Sequence, residues 1–229
     1  MSRLLARGFK ASAERLAAEV RAELELAALD RLDPWLLADH LRVTVLPLTE
    51  LQPSLAGCND QSEDDDRGGD RDHDRDHDRG HDRGHDRGGD PGGGSYLDAV
   101  SAVTLAHGDL RLVVINDDHP RIRQVSSVAH ELAHLLLDHP PRSIDGARRW
   151  EPELEQEADW LGGALLVPEE AARVCAIGGL PIRDVARRFG VSQALARWRL
   201  DATGARRVAA HVHAKRGRVQ TAQTAQRGP

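Results

Sequence analysis

Two cysteines, Cys58 and Cys175, supply all the thiol chemistry in this 229-residue chain. They stand far apart and neither belongs to a CxxC pair, so a disulfide framework and a cysteine-rich metal site are both excluded, and a reducing compartment fits best. Aromatic residues are also scarce, 3% of the chain, which leaves most of any core to Leu, Val and Ala. Nowhere is there an uninterrupted apolar run of membrane length. The first twenty residues, MSRLLARGFKASAERLAAEV, carry charges every few positions where an export signal would have a continuous apolar stretch. A soluble cytoplasmic protein is expected.

What is present suffices for one domain: 40% of the residues are hydrophobic, enough for a core with some chain to spare. The net charge of -6 conceals an asymmetry, because the stretch from Arg183 onward holds eleven Lys/Arg against only Asp184 and Asp201. Such a basic end attracts nucleic acid in some proteins and is simply solvated in more of them.

Organisation follows from periodicity. Phe9, Leu16, Val20, Leu24 and Leu26 to Leu29 recur near helical spacing. Asp33-Pro34 reads as an N-cap and first helical residue, opening a short helix from Trp35 to Leu41, and Val43 to Pro47 reads as a strand. Residues 1–58 thus form the N-terminal helices and first strand of the expected domain. Residues 59–94 are nearly all Asp, Arg, His and Gly, with nothing to bury, and read as a disordered insertion. Its His73, His77, His81 and His85 recur every four residues and invite a metal-buffering role, which the interleaved glycines oppose by disfavouring the helix that would align them. Residues 95–177 resume with two β-rich runs about His107-Gly108-Asp109, an expected hairpin, then a helix from Arg121 to Asp138 and another after Pro152. Residues 178–207 have the rhythm of helix-turn-helix, with Gly190 at the turn and Ser192 as N-cap. Residues 208–229 read as a basic disordered tail.

The chemistry concentrates in His130-Glu131-Leu132-Ala133-His134. This is HExxH, and on a helix its two histidines lie about 40° apart on one face, so two imidazoles can share one ion. Glu131 falls about 100° from His130 and about 60° from His134, flanking the ion as a general base without having to ligate it. The surrounding helix is apolar, and polar groups in such a helix need partners.

A catalytic zinc site takes three protein ligands and keeps one position open, so a third ligand must come from elsewhere. On the following helix Glu155 and Glu157 sit about 200° apart and cannot both face the ion. Glu155 has Asp159 one turn on, giving ExxxD, in which the first carboxylate ligates and the second holds a ligand histidine through its ring N–H. Glu155 is therefore the expected ligand and Asp159 its support, with Glu157 as the alternative ligand.

The chain resembles the ImmA/IrrE metallopeptidases. The resemblance is carried by AHELAH at 129–134, ELEQEADWLGGALLVP at 153–168, SAVTLAHGDLRLVVIND before them and RGFKASAERLA near the start. It departs in the long insertion and in Leu161-Gly162, where Phe-Ala is common. The resemblance implies one zinc ion, a glutamate as third ligand on the helix after HExxH, and a helix-turn-helix transcriptional repressor as substrate, cleaved to derepress stress-response or mobile-element genes. The rival reading is a DNA-binding regulator using residues 178–207, with the metal site structural or sensory. Whether Arg197 and Arg199 are exposed together or tied down by acids discriminates the two. The expected architecture is α+β: helices around a small antiparallel sheet, with a zincin-like HExxH helix facing a Glu-bearing one.

Overall fold

A computed structural model describes residues 5–50, 101–107, 110–140 and 151–226. The long insertion, Cys58 and Tyr96 lie outside these residues. Helix α1 (Phe9–Glu23) and helix α2 (Pro34–His40) lead into strand β1 (Thr44–Pro47), followed by β2 (Ala102–His107), β3 (Leu110–Ile115) and α3 (Arg121–Leu136). Then come α4 (Pro152–Leu166), α5 (Glu169–Ile177), α6 (Ile182–Phe189), α7 (Gln193–Ala202) and α8 (Ala205–Gln226). Among the described residues no helix is long and apolar enough to cross a membrane.

The α+β expectation needs one correction, since the sheet is mixed. Its order is β1-β3-β2: the expected β2–β3 hairpin is antiparallel, but β1 lies parallel to β3, with Val45 beside Val113. A parallel neighbour requires a crossover rather than a tight turn, and nothing in the apolar pattern of five residues specifies which edge a strand joins. The two faces of the sheet are distinct. Val113 and Ile115 enter the main core with the helices, whereas Val103, Val114 and Leu48 form a small cluster on the other side. By the two-residue period, Ala102 and Thr104 point to the helical side, and Thr104 pairs in register with Val113.

Two local expectations fail for identifiable reasons. The chain leaves helix at Leu24, so Leu26 to Leu29 are not helical: Glu25 takes φ 57°, its N–H donates to Ala22 O, and Leu26 N–H donates to Arg21 O. This is a Schellman stop with glutamate where glycine is usual, invisible to a search for terminating glycines. The buried Arg21 guanidinium then collects the carbonyls of Ala27, Asp30 and Leu165, fixing the loop against α4. The basic tail is the second case. Residues up to 226 continue α8, which packs against α5, with Ala205 and Ala209 buried and His213 Nε2 donating to Ile177 O at 2.9 Å. Its alanines, arginines and glutamines are good helix formers with no breaker among them but Gly217, and the docked first turns nucleate the rest.

Other signals act as read. Asp33 Oδ1 accepts from Trp35 N at 3.0 Å, Gly190 takes φ 65°, and Ser192 Oγ accepts from Leu195 N at 3.1 Å.

Candidate metal centre

Helices α3 and α4 pack face to face, and the closeness of the approach depends on Gly162. A Cβ there would stand 3.2 Å from Ala129 O and 3.3 Å from the His130 Cα, so a larger residue would push α4 away from the backbone that carries the first histidine. Leu161 beside it is fully buried, as are Val128, Ala129, Leu132 and Ala133 on α3. The apolar side of both helices thereby sets the spacing of the polar side chains at the edge of their interface.

Three of those side chains converge. His130 Nε2 lies 3.1 Å from His134 Nε2 and 3.2 Å from Glu155 Oε2, and His134 Nε2 lies 3.6 Å from the same oxygen. The group is compatible with a metal ion, each residue offering one ligand atom. Glu155 has its carboxyl far below the ordinary carboxylate range, chiefly through hydrogen bonds to His130 and His134. For His130, burial pulls the pKa down, but hydrogen bonds to Asp159 and Glu155 and the charge of Glu131 outweigh it and hold the imidazole at about 9.

Other polar residues flank this trio. Asp159 Oδ1 meets His130 Nδ1 at 2.9 Å. Glu157 is placed away from the trio and meets His139 Nε2 at 3.2 Å, while His139 Nδ1 meets His134 Nδ1 at 2.8 Å. Glu131 is 6% exposed, and its Oε2 accepts a 2.7 Å hydrogen bond from Thr104 Oγ. Thr104 and His139 were not anticipated. A hydroxyl between the apolar residues Val103 and Leu105, on the side facing the helices, was the available signal for the first. For the second it was a histidine one residue past a helix end.

The helix-turn-helix-like segment behaves differently. Arg199 is 0% exposed, held by Glu14 Oε1 at 2.6 Å and by Val167 O at 2.9 Å, while Arg197 stays exposed. Ala186, Val191, Ala196 and Leu200 are buried, so the helical rhythm serves packing against the rest of the domain.

Two imidazoles and a carboxylate converging beside a buried glutamate make a His2Glu centre of the kind metallopeptidases carry. Residues 91–201 match the family model described as the IrrE N-terminal-like domain of peptidase family M78, so the stretch that carries the trio is similar to the ImmA/IrrE metallopeptidases. No curated protein and no solved structure matches the chain.

Proposed function

We propose that the protein is a zinc-dependent endopeptidase that cleaves a helix-turn-helix transcriptional repressor, relieving repression of stress-response or mobile-element genes. The observation that carries the zinc reading is the spacing of the donors. A tetrahedral zinc with ligand bonds of about 2.0–2.2 Å has ligand-to-ligand edges of roughly 3.3–3.6 Å. Of the three edges between His130 Nε2, His134 Nε2 and Glu155 Oε2, the one of 3.6 Å lies in that range and those of 3.1 and 3.2 Å fall just short of it. Three protein donors would leave room for water or substrate on the ion, the pattern of catalytic rather than structural zinc.

Zinc held by His130, His134 and Glu155 would supply Lewis acidity for activating water and polarising a carbonyl near neutral pH. Glu131 takes the proton from the attacking water and returns it to the leaving amine. The Thr104 hydroxyl anchors one oxygen of that carboxylate, so the group reacts from a fixed position. Asp159 draws on His130 Nδ1 and keeps Nε2 turned toward the ion.

The repressor as substrate rests on the likeness of residues 91–201 to that family. A DNA-binding role for residues 178–207 draws less support, because Arg199 is committed to Glu14 and the Val167 carbonyl. The test is purified protein incubated with the repressor encoded nearest its gene, with cleavage read by mass spectrometry. The expected outcome is a discrete cut by the wild type and none by Glu131→Gln, with zinc content equal in both. Equal cleavage by Glu131→Gln would overturn the mechanism, and an uncut repressor that binds intact would replace hydrolysis with sequestration.

A further inference from the structure

The pair His139 and Glu157 lies on the far side of His134 from the ligand cluster, and the hydrogen-bond arithmetic there has one solution. The zinc reading, on which this inference rests, requires the lone pair of His134 Nε2 to face the ion, so the ring proton of His134 must sit on Nδ1. That nitrogen is 2.8 Å from His139 Nδ1, which must therefore accept. The proton of a neutral His139 then sits on Nε2, 3.2 Å from Glu157 Oε2, and donates to it.

We infer that His139, backed by Glu157, is a positioning residue that fixes the tautomer and ring orientation of His134 for metal binding. The fold prepares this contact independently of the side chains. Helix α3 ends with Asp138 at φ 55°, and His139 N–H donates to His134 O at 2.9 Å, so the chain reverses and lays residue 139 against residue 134. The His139 side chain is 5% exposed and the two rings pack edge to face with centroids 4.9 Å apart. An imidazole so enclosed needs a defined partner on each nitrogen, and it has His134 on one and Glu157 on the other. Asparagine, aspartate and glycine are the residues that tolerate such a left-handed position, and aspartate stands there.

The experiment compares zinc affinity, by competition with a chromophoric chelator, in the wild type, His139→Phe, His139→Gln, Glu157→Leu and His134→Ala. The zinc-loaded folded variants are also examined by long-range 1H–15N correlation of the His134 ring. Removing a hydrogen-bond partner behind a zinc-ligating histidine typically weakens metal binding by about 10–100-fold. His139→Phe is expected to fall in that range and to lose the single Nδ1–H signature of His134. His139→Gln, which keeps an acceptor, restores most of both, and Glu157→Leu weakens binding less than His139→Phe. Thermal melts of the metal-free variants establish that each is folded. Wild-type affinity and an unchanged His134 signature in His139→Phe would overturn the positioning role while leaving the zinc site standing. Undiminished affinity in His134→Ala would remove the zinc reading itself.

Discussion

The helix pairs α3–α4 and α6–α7 are both marked by short motifs, and both bury polar side chains, yet they put them to opposite uses. In α3–α4 the polar groups meet one another at the edge of the interface: two ring nitrogens and a carboxylate oxygen lie within 3.6 Å, and each histidine meets a further polar partner through Nδ1. In α6–α7 the buried Arg199 turns inward to Glu14 of α1 and the end of α4, stitching the C-terminal helices to the domain. The comparison separates two kinds of spacing. The HExxH interval puts two imidazoles where one ion could be reached by both, whereas the helix-turn-helix rhythm repeats wherever two short helices pack, whatever they bind.

Replacements sharpen the contrast, and the largest effect is expected at the metal. Glu155→Ala should lose zinc, whereas Glu157→Ala should retain it with reduced affinity, as measured by elemental analysis after gel filtration. The reverse result would make Glu157 the ligand and destroy the distinction between the two glutamates. Next comes Arg199→Leu, which leaves Glu14 without its buried cation. Breaking such a pair costs about 3–5 kcal/mol, read as a fall in the urea midpoint. An unchanged midpoint would mean that Arg199 is free for another role. Gly162→Ala forces a Cβ against the α3 backbone and should cost about 1–3 kcal/mol by overpacking. Smallest is Arg197→Ala, expected within about 0.5 kcal/mol of wild type because the residue is exposed. A larger loss would show that α7 relies on both arginines.

Acidity offers a further handle on the α3–α4 side. In the metal-free protein the His130 pKa stands at about 9 against an ordinary 6.5. Its contribution to stability is therefore complete below about pH 6.5 and lost as the pH rises through about 9. The melting temperature of the metal-free protein should fall across that window, and His130→Gln should flatten the fall. Zinc needs the neutral ring, so its affinity should rise with pH up to about 9 as the competing proton is removed. Affinity independent of pH over that range would contradict the ligand role of His130.

The trio could be read from sequence because helical intervals frame it: four residues put His130 and His134 on one face, and Asp159 stands four residues, one turn, beyond Glu155. Caps such as Asp33 and Ser192 were legible for the same local reason. Thr104 was not, since its partner Glu131 is 27 residues away and meets it only once β2 is seated on β3. The parallel placement of β1 depends on a crossover, and the Schellman stop at Glu25 on a backbone conformation that glutamate does not advertise. His139 was read only as part of a helix terminator, with Pro140 and Pro141, and its return onto His134 follows from the backbone reversal at Asp138.

The most direct test of the central claim is zinc stoichiometry by elemental analysis in the wild type, in His134→Ala and in a variant lacking residues 64–89, which removes the histidine repeat as a rival site for the metal. The account predicts about one zinc per chain in the wild type and the deletion, and none in His134→Ala. Zinc that vanishes with the deletion and persists in His134→Ala would contradict it, placing the metal on the repeat and leaving α3–α4 without the ion its geometry was read to hold.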